Sequence, residues 1–301
     1  MGSTIIVNDL RKHYGQVRAV DGVSFSVEEG EFFGILGPNG AGKTTTLEIV
    51  EGLREADSGA VEVLGMRPWP RNPKLLTRIG VQLQATSFFE RLTAREQIRT
   101  FASLYGVAAK KADEMLAQVG LEDKADTPAE RLSGGQGQRL SIACALVHDP
   151  DIVFLDEPSA ALDPQARRNL WDLLRQINDN GRTVVLTTHY MDEAESLCDR
   201  VAIMDDGRVL ELGPPASLVR GLESVTRISL ETGTLSVESA AEIAGPGASV
   251  DDDGVSVTIG TDDPARVLTA LAERNLLTGI QVRGATLEDV FLNLTGREYR
   301  A

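Results

Sequence analysis

The stretch Phe32-Phe33-Gly34-Ile35-Leu36-Gly37-Pro38-Asn39-Gly40-Ala41-Gly42-Lys43-Thr44-Thr45-Thr46-Leu47-Glu48-Ile49-Val50 decides the fold. An apolar run reads as a buried strand, and Gly37 to Thr44 then fit a phosphate-cradling loop: Gly37 and Gly42 with four residues between them, followed by Lys and Thr. The glycines let the backbone curl so that several N–H groups face one anion, at the positive end of the helix that follows. Lys43 is placed to reach the β and γ phosphates of a nucleoside triphosphate and the Thr44 hydroxyl to ligate Mg²⁺, with Thr45 beside it in the same site. The plainer alternative, a glycine-rich turn capping an ordinary helix, fits the strand-to-helix setting less well.

Outward from this loop the grammar is that of a parallel sheet. Upstream, IIVNDL and AVDGVSFSV alternate as strands, with EEGE as a turn; downstream, RIGVQLQ reads as another strand. From Phe88 to Val147 the period is helical, through AREQIRTFASLYG and KKADEMLAQVG to SGGQGQRLSIACALVHDP, where Ser133 is a candidate N-cap. DIVFLD and RTVVLTTH are two buried strands separated by the amphipathic PQARRNLWDLLRQINDNG, a βαβ unit, so the fold class is α/β. GPPASLVRGLES reads as a hinge, after which Ser, Thr, Gly and Asp increase. TRISLET, GVSVTIG and GIQVRG then look like strands, and DPARVLTALAERN and TLEDVFLNLTG like helices. The expected division is a nucleotide-binding domain over 1–220 and a small α+β domain over 221–301.

Composition narrows the partners. With 301 residues, 42% of them hydrophobic, the chain can bury two cores. Its 45 acidic against 30 basic residues give a formal charge of -15, which opposes a broad field for nucleic acid or anionic lipid and leaves phosphate to a local site. Cys144 and Cys198 lie in helical stretches without metal-site spacing and read as reduced thiols of a cytosolic protein. Nowhere do about 18 apolar residues run together, so a partner is expected to supply any membrane span.

A phosphate loop alone says only that a nucleoside triphosphate is bound. Ile152-Val153-Phe154-Leu155-Asp156 is the second element, an apolar strand ending in a carboxylate that can hold Mg²⁺ through water, and Glu157 follows it, placed to polarise an attacking water. By itself this is equally well a strand end with an acidic turn.

Leu132-Ser133-Gly134-Gly135-Gln136 resembles the signature of ABC-type ATPases, and the resemblance extends over residues 4–220. Tyr14 resembles the aromatic that stacks on adenine, Gln84 the glutamine of the loop facing the membrane subunit, Asp163 the D-loop aspartate and His189 the switch histidine. The resemblance implies a parallel-sheet core with an antiparallel β subdomain and a helical subdomain. It also implies that ATP lies between the P-loop of one copy and Ser133, Gly134, Gly135 and Gln136 of another, so that two chains form the sites, by default as a homodimer, although a related chain could serve as the other half. Glu157, His189 and Lys43 would carry hydrolysis, and Thr44, Gln84 and Asp156 would hold Mg²⁺. The partner implied is a separate transmembrane permease, which would hold the chain peripherally at the cytoplasmic face of the membrane.

The tail Thr286–Arg297 resembles the ending of daunorubicin-resistance exporter ATPases, implying efflux of a drug, antibiotic or lipid-like compound. Leu287, Val290, Phe291 and Leu294 could equally close the small domain's core at helical spacing. Two departures stand out: Gly137 where relatives often carry a bulkier polar residue, and Ser159-Ala160-Ala161 in the D-loop. A soluble ABC ATPase of DNA repair or translation would carry a long coiled coil or two cassettes, and an importer would depend on an extracellular binding protein.

Overall fold

The computed structural model describes residues 2–84, 88–222, 226–246 and 248–296. β1 (Ser3–Tyr14) and β2 (Val17–Glu28) pair antiparallel, β3 (Phe32–Leu36) runs into the P-loop, α1 (Lys43–Val50) follows it, and β4 (Ser58–Val63) returns beside β1. β1 is longer than its IIVNDL alternation suggests, because the register shifts between Val7 and Leu10, where Asp9 takes φ 43°, and pairing resumes as far as Tyr14.

After α2 (Pro73–Leu76) and β5 (Ile79–Gln82) come the helices α3 (Ala94–Leu104), α4 (Ala109–Gln118) and α5 (Gly134–Leu146). Thr93 and Ser133 open α3 and α5 with reciprocal capping boxes, satisfying backbone donors that would otherwise be orphaned. β6 (Ile152–Asp156), α6 (Pro164–Asp179), β7 (Thr183–Thr188), α7 (Met191–Leu197), β8 (Arg200–Asp205) and β9 (Arg208–Gly213) complete this part. The central sheet has the order β5-β6-β7-β3-β8-β9, parallel except for β9. β3, β6 and β7 are buried along their whole length, as strands covered on both faces must be, which is why they lack an alternating pattern. Phe33, Ile35, Phe154 and Val185 pack with Leu47, Ile49 and Val50 of α1, each large side chain contributing about 2 kcal/mol of burial.

The chain divides into two compact units after Pro215. The expected hinge is a helix, α8 (Pro215–Gly221), whose first residue is a proline already set for helical φ; Glu223 and Ser224 of that stretch lie outside the described residues. The second unit runs β10 (Thr226–Glu231), α9 (Val237–Ala244), β11 (Ser249–Asp252), β12 (Ser256–Thr261), α10 (Pro264–Glu273), β13 (Gln281–Arg283) and α11 (Leu287–Thr295). The order β11-β12-β10-β13, antiparallel throughout, is the split βαβ arrangement. Its core joins Ile228, Leu230, Val257 and Ile259 to Ile243, Val267 and Leu271. On α11, Leu287, Val290 and Phe291 are buried, but Leu294 is 40% exposed: the apolar stripe fades in the last turn, before Gly296 closes the helix in the left-handed region. Arg297, expected in this helix, lies outside the described residues.

Candidate functional site

Because β3, β6 and β7 are parallel neighbours, their carboxyl ends share one sheet edge, and the register sets Asp156 opposite Thr187 and Leu36 opposite Thr188. The P-loop starts there. Gly42 caps α1 at φ 96°, and a Cβ on it would stand 2.1 Å from the Ala19 carbonyl oxygen; a Cβ on Gly37 would stand 2.2 Å from that of Met204. Neither position admits a side chain. The loop is tied down by Gly37 N–H to Thr188 O (3.2 Å), Ala41 N–H to Pro38 O (3.2 Å) and Gly207 N–H to Ala41 O (3.1 Å).

Lys43, only 4% exposed, donates to the carbonyls of Gly37 (2.8 Å) and Pro38 (3.1 Å) and lies 3.2 Å from Glu157 Oε1. Burial pushes its ammonium pKa down, and the Glu157 carboxylate opposes the shift. Thr44 Oγ1 donates to Asp156 Oδ1 at 3.1 Å, and Thr187 Oγ1 donates to the same oxygen at 2.5 Å. Burial raises the Asp156 carboxyl above its ordinary range; the Thr187 and Thr44 hydroxyls oppose the rise, Glu157 adds to it and Lys43 opposes it.

Glu157 is the point of convergence. Its φ of 46° is left-handed, a conformation that costs a non-glycine residue on the order of 1 kcal/mol. Its N–H is held by Thr187, at 3.0 Å from Oγ1 and 3.2 Å from the carbonyl oxygen. That turn aims Oε2 at Gln84 Nε2 (3.2 Å) and His189 Nδ1 (3.2 Å), while Oε1 meets Lys43. In front lies a hollow of about 720 Å³ lined by Asn39 through Thr45, Gln84 and Glu157, with Tyr14, Val17 and Asp206 on its walls. Tyr14 is 42% exposed, and the Arg54 guanidinium stands 5.5 Å and Lys12 Nζ 5.8 Å from its ring centre.

A second group stands apart from this hollow. Gln136 N–H donates to Ser133 Oγ (3.4 Å), and Ser133 N–H donates to Gln136 Oε1 (3.0 Å), so these side chains close the start of α5. Ser133 and Gly134 are exposed, and none of Ser133, Gly134, Gly135 and Gln136 lines the P-loop hollow. Asp163 caps α6, accepting from the N–H groups of Gln165 (3.0 Å) and Ala166 (2.9 Å). A Cβ on Gly135 would stand 3.1 Å from Ala166 Cβ, so the signature turn and the D-loop helix are neighbours within one chain.

Two residues of this site escape motif reading. Thr187 holds both Asp156 and the Glu157 backbone; its signal is a hydroxyl at the end of an apolar strand, two residues before His189. Asp206, in the turn between β8 and β9, carries no such signal and enters the wall because Gly207 hydrogen-bonds the P-loop.

Residues 20–160 match the ABC transporter family. The chain is 39% identical, over 98% of its length and 87% of the relative's, to the Nod factor export ATP-binding protein I of Sinorhizobium fredii. It is 36% identical, over 97% of its length and 98% of the relative's, to the linearmycin resistance ATP-binding protein LnrL of Bacillus subtilis. The dimeric structure of a bacterial ABC transporter cassette matches with a TM-score of 0.64 at 30% identity, covering 70% of this chain and 98% of that one. Likeness that runs through nearly the whole of both relatives, on a cassette fold with its P-loop in place, means that this chain belongs to the ATP-binding, ATP-hydrolysing proteins of the ABC transporter family.

Proposed function

We propose that the chain is the MgATP-hydrolysing subunit of an exporter, pairing with a second copy and docking on a separate permease at the cytoplasmic face of the membrane. The observation that carries hydrolysis is the seat of Glu157, 3.2 Å from each of Lys43, Gln84 and His189. The phosphates of ATP belong in front of α1, where the N–H groups of Gly40 to Thr44 and the helix end attract them, with adenine on Tyr14. Lys43 then turns from Glu157 to the β and γ phosphates, and the released carboxylate takes the proton of the attacking water. His189 holds the γ phosphate, and Gln84 reports its loss.

Mg²⁺ fits the donors gathered here. Among the described residues no group of three His, Cys, Asp or Glu could hold a metal alone. The paired Thr44 hydroxyl and Asp156 carboxylate, with the Gln84 amide, would offer the ion up to three protein oxygens, directly or through water, with phosphate and water completing its shell. Once bound it would neutralise charge on the phosphates.

The separation of Ser133–Gln136 from the P-loop hollow supports the dimer: donors at the start of α5 would meet the γ phosphate of a second copy. Among the described residues no helix is long and apolar enough to cross a membrane. Beside Gln84 lies an apolar hollow of about 550 Å³ lined by Leu53, Leu83, Phe88, Leu104 and Tyr105. We place a cytoplasmic segment of the permease there, because Leu83 adjoins the glutamine that touches Glu157. Relatives named for Nod factor export and linearmycin resistance support export of a drug, antibiotic or lipid-like compound. Residues 1–220 would form the nucleotide-binding domain and 221–301 an accessory domain. Tagged Glu157→Gln protein, purified from its own membranes with MgATP, should bring down one polytopic membrane protein. Ribosomes, DNA-repair proteins or nothing membranous would transfer the assignment to a soluble ABC ATPase.

A further inference from the structure

Behind the switch histidine, α7 buries a carboxyl that hydrolysis as described leaves unused. Glu193 has no exposed surface, and Trp171 Nε1 on α6 donates to its Oε1 at 2.9 Å. Among the described residues, Oε2 and the Ser159 hydroxyl are both buried without a hydrogen bond of good geometry. Burial pushes the carboxyl above its ordinary range, and the Thr188 and Ser159 hydroxyls lie close enough to oppose the rise, as do Trp171 and the Arg167 charge. Around this centre, Tyr190 N–H donates to Thr188 Oγ1 at 2.9 Å, and the Arg167 guanidinium lies 3.9 Å from the Tyr190 ring centre.

The neighbours of this carboxyl share one property, their place in the chain. Ser159 stands between Glu157 and the D-loop residue Asp163, Thr188 immediately precedes His189, and Trp171 belongs to the helix that Asp163 caps. Each segment reaches the site from a different element, and at Glu193 the three meet one side chain. A neutral carboxyl suits this position, since one oxygen accepts from Trp171 while the O–H can donate to Ser159 or Thr188. A charge would face the full cost of burial.

We propose that Glu193 is a positioning residue for hydrolysis: it ties Ser159, Thr188 and Trp171 into one unit and so fixes His189 and Asp163 relative to Glu157. The inference rests on the hydrolytic reading of Glu157 and His189.

The experiment compares steady-state MgATP hydrolysis, nucleotide affinity and thermal melting of the whole chain with those of Glu193→Gln, Glu193→Ala and Trp171→Phe. Glutamine keeps the shape, the acceptor and a donor. It should therefore retain turnover within about twofold of wild type, whereas alanine should lower kcat about tenfold or more with KM for ATP within about twofold. Trp171→Phe should show a smaller loss of the same kind. A group that only filled space would lower stability without this split between kcat and KM. An alanine variant with wild-type kcat, or a glutamine variant that falls as far as alanine, overturns the proposal. If the alanine variant does not fold, the other two decide: full turnover in Glu193→Gln with reduced turnover in Trp171→Phe supports the tie, and full turnover in both overturns it. Absence of hydrolysis by the wild-type chain, with nucleotide bound, would instead sink the hydrolytic reading and this inference together.

Discussion

At the carboxyl ends of β3, β6 and β7, Lys43, Gln84 and His189 close on Glu157, and Thr187 braces Asp156 from behind. At the start of α5, Ser133 and Gly134 stand exposed, and Ser133 bonds to Gln136 and to the backbone of the helix itself. The first region is charged, buried apart from the exposed Gln84, and held by partners from several elements. The second is held by a local cap. A group that must carry charge out of water needs many neighbours to stay in place, whereas N–H donors at a helix end need only the helix. On the proposed dimer, the first is the half of the site that one chain finishes alone and the second the half it would offer to another.

The largest effect should follow from breaking the buried half. Glu157→Gln keeps the shape but cannot take a proton, so turnover should fall about 100-fold or more while nucleotide affinity holds. A variant that hydrolyses at the wild-type rate would remove the base from Glu157. The exposed half is tested by complementation. Ser133→Arg and Lys43→Ala should each lower turnover about tenfold or more, by fouling the donors of α5 and by removing the phosphate cation. An equal mixture contains dimers with one intact composite site and should recover about a quarter of wild-type activity. If the mixture stays inactive although the chains exchange partners, Ser133 does not act across a dimer.

The two halves also differ in how they could be read from sequence. The P-loop, Asp156 and the signature are local: phosphate binding and helix capping fix residue types at short spacing, and the chain writes them in order. Thr187 and Glu193 work through partners 31 and 22 residues away, so no window contains both ends of their contacts. The small unit was legible as strands and helices, but its split βαβ order was not. α9 and β11 lie in SVESAAEIAGPGASVDDDG, a stretch rich in alanine, glycine and acid where neither helical nor strand period stands out. α8 was hidden by Pro214 and Pro215, which read as a break although the second begins the helix.

Behind the buried half, Glu51 at the end of α1 is 2% exposed, and among the described residues its Oε1 has no hydrogen-bond partner. Burial, with Asp156 and Glu48 adding, pushes its carboxyl well above the ordinary range. With the folded pKa raised, the native chain keeps a proton over a window in which the unfolded chain has lost it. Stability therefore falls as pH rises through that window, and the penalty is absent below the unfolded value. Glu51→Gln removes the titration. Melting curves without nucleotide or Mg²⁺ should show a gain of about 3 °C near about pH 8 that shrinks toward about pH 4. A gain that does not change with pH would mean that packing, not charge, is relieved.

The smallest effect belongs to the exposed half and tests whether its simplicity is real. Gly137 follows the signature in the first turn of α5, its N–H donates to Ser133 O at 2.8 Å, and a Cβ on it would meet only Phe88 Cε2, at an ordinary 3.6 Å. Its φ is not left-handed, so alanine can replace it without strain and gains by restricting the unfolded chain. Gly137→Ala should stabilise the chain by about 0.5 kcal/mol, read as a rise of about 2 °C in Tm, with turnover unchanged. Lost turnover with the same stability would mean that α5 must bend or shift at this glycine during the cycle, and the start of α5 would then be a moving part instead of a rigid set of donors.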